Sequence, residues 1–385
     1  MAVLVGFTST IAIVFQAALA FGATPAQVSS WLWALGIGMG LCCMLPSLWL
    51  RLPVMVAWST PGAAVLATAG LGGAYSMGEA VGAFMVSAVL IILFGVTGWF
   101  ERVMNRLPLA IASGLLAGVL ARFGMQAFVG AQTALPLVLV MLASYLLGRR
   151  FLPRYAVPLT LLIAIIFVAM GSGFKGAAPE FSLTVPVFVM PVFTWSAAIS
   201  LALPLFLVTM ASQNLPGVAA IQASGYGRTD TSRGFPVSGV ITLTGLATLV
   251  LAPFGGFALN LSAITAAICM GPEAHPDPKR RYTAAVSCGA IYLLIGLFGA
   301  AIVAMLNAFP RELIAAIAGL ALLGTIGNAL HVALREDTQR EAALVTFLVT
   351  LSGVVIAGVG AAFWGVLAGA FTLFVQQYRT STEKP

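Results

Sequence analysis

The sequence predicts an all-α polytopic membrane protein with fourteen transmembrane segments in two inverted repeats of seven. Three observations carry this. The 385 residues are 61% hydrophobic and only 8% charged, with mean hydropathy +1.06. Soluble domains carry roughly 25% charged residues, so a water-soluble fold is excluded. Basic residues fall on alternate connections, and the chain repeats itself internally.

Apolar runs of about 20 residues can be drawn at 1–21, 27–50, 53–70, 79–99, 108–128, 133–149 and 156–173. Seven more follow at 195–224, 236–252, 254–271, 283–305, 310–331, 341–357 and 359–377, the last two dividing at Gly358–Gly360. The first run imitates a signal peptide but has no basic leader and has a counterpart later in the chain, so it is read as a span.

With both termini cytoplasmic, the inner connections hold Arg51, Arg102, Arg106, Arg149, Arg150, Arg154, Arg228, Arg233, Lys279, Arg280, Arg281, Arg335, Arg340, Arg379 and Lys384. Only Lys175 and Arg311 fall outside, and only Arg122 within a span. This asymmetry supports an even number of spans with both termini inside. It also explains the net charge of +7 without nucleic acid. The four cysteines lie in apolar runs without metal-ligand spacing and read as packing residues.

Gln16 pairs with Gln213, Thr60 with Thr265 and Gly114 with Gly319, dividing the chain into repeats 1–174 and 195–378. The polar loop 225–234 absorbs the small change in offset. An odd number of spans per repeat inverts one half relative to the other, an arrangement typical of secondary transporters. No Walker-type phosphate loop is present, and nothing resembles a nucleophile–base pair.

Two spans are broken: PVMVAWSTPGAAVLATAG at 53–70 and PFGGFALNLSAITAAICMG at 253–271. Each reads as Pro, a short strand, then a half-helix. Irregular backbone at membrane depth is tolerated where it lines a protein-walled cavity. Half-helix N-termini bring unpaired N–H groups and a partial positive charge, which suits an anion. Ser59, Thr60, Asn260 and Ser262 can cap these ends or contact a bound carboxylate. Gln213 and Asn214, adjacent amides within a span, supply further donors, with an interhelical hydrogen bond as the plainer role. Trp58 and Phe257 flank the breaks and can stack on an aromatic ring or simply pack. Arg122 sits toward the outer end of its span, where snorkelling accounts for it. Glu273, His275 and Asp277 read as a solvated turn rather than metal ligands, and no cofactor is expected. No Asp or Glu falls within a span near the breaks, so a coupled proton would travel on the substrate's own carboxyl group or on a group not identifiable from sequence.

WSTPGAA at 58–64, TMASQNLPGVA at 209–219 and PFGGFALNLSAITAAICMGPEAHPDPKRRY at 253–282 resemble the benzoate:proton symporter family, a relative of the uracil-permease and purine/ascorbate transporters. The resemblance covers nearly the whole chain. It implies a core domain over about 1–128 without 101–128, plus 195–305, and a gate domain over about 108–173 plus 310–377. It implies uptake of benzoate or a similar small aromatic carboxylate with H+ across the bacterial inner membrane, in a homodimer as in relatives of this architecture. The uracil-permease relatives hold substrate with carboxylates where this chain offers Gln213, Asn214 and Asn260, and many members have a His where it has Phe257. Carriage of an uncharged nucleobase-like solute and a weak-acid channel are the alternatives.

Overall fold

The computed structural model describes residues 3, 7, 10–71, 73–100, 108–171, 182–226, 236–271, 274–354, 356 and 361–380. The loop 101–107, most of the polar loop 225–234, Lys175, Glu273 and Gly358–Gly360 lie outside the described residues.

Helix α1 (Ile11–Ala20) leads to α2 (Pro25–Leu50), which begins with a reciprocal Thr24–Gln27 cap and Pro25. Strand β1 (Val56–Trp58) then runs into α3 (Thr60–Gly70). Helix α4 (Met77–Val96) opens on a second reciprocal cap, Ser76 with Glu79. It is followed by α5 (Leu109–Val129), α6 (Ala131–Phe151) and α7 (Ala156–Met170).

Residues 182–194 are extended and tie several helices together. Val187 N–H donates to Ser30 Oγ, Val189 N–H to Pro253 O and Val192 N–H to Gly78 O. Thr184 Oγ1 accepts the Ala300 N–H at 2.9 Å.

Helix α8 covers Trp195–Ala197 through Leu215–Ala223, interrupted by wide i→i+5 turns at Ala198–Ala202 and Met210–Asn214. A proline follows each turn by two residues, Pro204 and Pro216. Proline donates no hydrogen bond and its ring clashes with the carbonyl four residues back, so the helix widens there. After α9 (Val237–Leu251) come strand β2 (Leu259–Leu261), α10 (Ile264–Met270) and α11 (Tyr282–Leu297). The chain ends with α12 (Gly299–Ala308), α13 (Arg311–Ala333), α14 (Arg340–Ser352) and α15 (Ala361–Thr380). The run 283–305, expected as one span, is two helices meeting at non-helical Phe298, where Thr184 caps the second.

Helices α2, α4, α5, α6, α8, α9 with its terminal turn and α13 are each long and apolar enough to cross a membrane. The chain is a multi-pass membrane protein. Helix α2 packs on α11, α4 on α9, and α1 on α3. Helix α5 packs on α13 and α14, α6 on α7, and α14 on α15. Gly36 and Gly40 of α2 face Gly296 and Gly289 of α11, where any Cβ would strike the opposing backbone. Small residues of this kind let helices approach closely in lipid, where dispersion replaces hydrophobic drive.

The two strands pair antiparallel, Val56 with Leu261, Ala57 with Asn260 and Trp58 with Leu259. Each is three residues long and buried apart from half-buried Ala57, so its remaining backbone groups need partners from elsewhere. Ser47 Oγ accepts Val54 N–H, Cys43 Sγ accepts Val56 N–H, and Ser59 N–H donates to Ala258 O. On the other strand Thr248 Oγ1 accepts Leu259 N–H, Asn214 Oδ1 accepts Leu261 N–H, and Ser262 N–H donates to Met55 O. Side chains of α2, α8 and α9 thus complete the ladder and hold the broken segments in register. Behind the strands Trp31, Phe84 and Phe257 form a buried aromatic cluster with ring centroids 5.4–5.7 Å apart. All four cysteines are buried and unpaired by disulfide.

Candidate substrate site

Where the two strand–helix units meet, a cavity of about 530 Å3 opens between α1, α3, α5, α8, α10, α11 and α13. Small-molecule pockets span roughly 300–1,000 Å3, so a one-ring acid fits with room to spare. The cavity is lined by Thr60 and Pro61 of the first unit and by Ser262, Ala263 and Thr265 of the second. Gln213 enters from the wide turn of α8. Phe7, Trp58 and Tyr292 supply aromatic walls, and Leu116, Leu120 and Leu322 aliphatic ones. Among the described lining residues there is no Asp, Glu, Lys, Arg or His.

At the start of α3 the amide accounting is short. Pro61 has no N–H, Gly62 N–H is taken by Ser59 Oγ at 3.0 Å, and Ala63 N–H by Ser59 O at 2.8 Å. The Thr60 amide and hydroxyl remain at the cavity wall, on the positive end of the helix. On the opposite side α10 begins without a side-chain cap, and Thr265 Oγ1 donates to Ser262 Oγ at 2.6 Å. Trp58 is held by its Nε1–H donating to Thr10 Oγ1 at 2.9 Å, with Phe7 at 5.6 Å between ring centroids. The result is a largely apolar, aromatic-walled chamber with hydroxyl and amide groups among its lining residues.

Of the expected residues, Trp58, Thr60, Gln213 and Ser262 line the cavity. The other four stand behind it. Ser59 is buried, caps α3 and accepts from Thr209 Oγ1 at 3.0 Å. Asn214 is buried and satisfies β2 through Leu261 N–H. Asn260 is fully buried, donates Nδ2–H to Ala258 O at 3.0 Å, and leaves Oδ1 without a hydrogen bond. Phe257 packs in the aromatic cluster. Sequence reasoning missed Phe7, Thr10, Ser113, Tyr292, Thr325 and Asn328, which come from helices remote in sequence and carry no local break. His275 Nδ1 accepts the Asp277 N–H in an exposed turn, and no cluster of metal-ligating side chains occurs among the described residues.

The sequence profile of the family described as benzoate membrane transport protein matches residues 1–375. The chain belongs to this benzoate transport family. A curated relative, the benzoate membrane transport protein of Acinetobacter baylyi, is 38% identical over 97% of this chain and 93% of its own. The inner membrane protein YdcO of Escherichia coli is 47% identical over 96% of this chain and 92% of its own. Among solved structures, the transmembrane domain of the cyanobacterial bicarbonate transporter BicA aligns with TM-score 0.61 and 14% identity, over 96% of both chains. SLC26A9 aligns with TM-score 0.62 and 14% identity, over 98% of this chain and 65% of that one. At such identity the two structures share the fold alone. This member of the benzoate transport family is therefore a membrane transporter and not an enzyme.

Proposed function

We propose that the protein imports benzoate or a closely similar aromatic carboxylate together with H+, by alternating access, across the bacterial inner membrane. The observation that carries this is the cavity: an apolar aromatic chamber, free of charged side chains among its described residues, at the junction of two half-helices. The ring would lie against Trp58, Phe7 and Tyr292, and the carboxylate would meet the Thr60 amide and hydroxyl, Ser262 and Gln213. A dry site of this kind accommodates an anion through helix-end dipoles and hydrogen bonds rather than a full counter-charge. The described lining contains no carboxylate or imidazole to relay a proton. The substrate would then bind as the carboxylate and take up the coupled proton on its own carboxyl group, whose ordinary pKa is about 4, before it crosses.

The helix pairings support a fourteen-span architecture of two inverted sevens. If α1 corresponds to α8, α2 to α9, α4 to α11 and so on, then α2 on α11 mirrors α4 on α9. Likewise α6 on α7 mirrors α14 on α15, while α5 on α13 mirrors itself. The cavity reaches Leu109 at the start of α5 and Val332 at the end of α13, which adjoin in sequence the basic connections carrying Arg106 and Arg335. With those connections and both termini in the cytoplasm, this is an inward-facing state.

The test is thermal stabilisation of the purified protein by benzoate, substituted benzoates, aliphatic acids, uracil and xanthine across pH. A ligand raises the melting temperature with the logarithm of its concentration over Kd. A benzoate-selective shift, together with saturable counterflow in proteoliposomes, is the expected result. A shift with nucleobases alone would discard the substrate assignment.

A further inference from the structure

A second pocket, of about 290 Å3, lies between α1, α3 and α5 and is lined by Gln16, Thr68, Arg122 and Gln126 with Leu19 and Leu71. It bears a fixed relation to the main cavity. Helix α1 gives Thr10 to the cavity and Gln16 to the pocket; α3 gives Pro61 and then Thr68; α5 gives Leu116 and then Gln126. At 1.5 Å rise per residue the pocket is displaced by roughly 10 Å along three helices in the same direction. Between the two sets of positions Ile13, Ala64 and Leu120 are completely buried, so apolar packing separates the chambers.

Arg122 makes no ion pair among the described residues, and its guanidinium lies over Gly353, at the C-terminal end of α14. That helix end carries partial negative charge and lets a lone cation stand there, but it supplies no full counter-charge. Gln16 and Gln126 add amide donors. Half-buried Arg122 thus brings a guanidinium without a full counter-charge among the described residues to the border of a recess that is otherwise uncharged and largely apolar.

We propose that this pocket is an anion-recruiting subsite on the outer face, where Arg122 takes the carboxylate of an arriving aromatic acid before it passes Leu120 into the cavity. The inference rests on the substrate and orientation proposed above. A cation in a cleft of low dielectric raises local anion concentration, with rate gains of roughly ten-fold or more that decline with salt. No charged side chain lines the main chamber among the described residues, so a separate means of capture serves uptake from dilute solution.

The test is benzoate uptake into right-side-out membrane vesicles. R122Q is expected to lower kcat/KM about ten-fold at low ionic strength and to abolish its salt dependence, while R122K stays within about two-fold of wild type. The stabilisation of purified R122Q by benzoate, which reports the main cavity, is expected to match wild type. Because the four native cysteines are buried, R122C offers one reactive thiol. An impermeant ammonium-bearing thiosulfonate added outside should restore uptake, and a sulfonate-bearing one should not. Wild-type behaviour of R122Q, equal damage in R122K, equal rescue by both reagents, or no labelling from outside would each overturn the subsite. A wild-type protein that neither binds nor accumulates benzoate would overturn the functional reading, and the subsite with it.

Discussion

Asn214 Oδ1 accepts the backbone N–H of Leu261 at 2.9 Å, joining the wide turn of α8 to the middle of the second broken segment. Both groups are fully buried, so each is the other's only means of satisfaction at that edge. Asn214→Ala would strand the Leu261 amide, at a cost of about 1–3 kcal/mol. It is expected to lower the melting temperature and, by releasing neighbouring Ser262, to weaken benzoate as well. Calorimetry with and without ligand separates the two effects.

Thr60 tests the carboxylate contact directly. Thr60→Val preserves the branched shape and removes only the hydroxyl, leaving the Ser59 cap of α3 untouched. A hydrogen bond to a charged group contributes about 1.5–3 kcal/mol, so affinity should fall about ten-fold or more with an unchanged melting temperature. Equal affinity in a thermal-shift titration would place the carboxylate elsewhere.

Asn260 lies opposite Ala57, which lines the cavity. Its Oδ1 is buried without a hydrogen bond. Asn260→Asp would introduce negative charge beside the proposed carboxylate, and benzoate binding at neutral pH should weaken by about ten-fold or more. Acidic pH should restore part of it as the new carboxyl group is protonated. Uptake indistinguishable from wild type would remove Asn260 from the electrostatics of the site.

Gly255 adopts φ +96°, and the Trp31 indole occupies the space a Cβ would need. Gly255→Ala meets both a left-handed backbone penalty of about 1 kcal/mol and a steric clash. Expression and melting temperature should fall together. Gly22→Ala, at φ +72° with open space around it, should show only the milder backbone penalty.

Much of this molecule is legible in its sequence because the information is local and redundant. Hydropathy excludes a soluble fold, and Pro with small polar residues marks the breaks at 53–70 and 253–271, where a strand and helix indeed form. In an apolar chain a break in helical backbone must be satisfied by protein, so its position carries structural meaning without any alignment. Which polar residue faces the cavity is another matter. Consecutive residues on a helix point about 100° apart, and only the wide turn at Met210–Asn214 aims Gln213 into the chamber and Asn214 at a strand. Phe257 and Trp58 flank the breaks alike, yet one joins the Trp31–Phe84 cluster and the other the cavity wall. Phe7, Thr10 and Tyr292 reach the site from stretches outside both broken segments. The sequence by itself determined a membrane transporter organised around two broken segments, because burial and backbone satisfaction are properties of each stretch. Tertiary structure alone decided which side chains meet in the cavity, because that depends on how separate helices rotate and pack against one another.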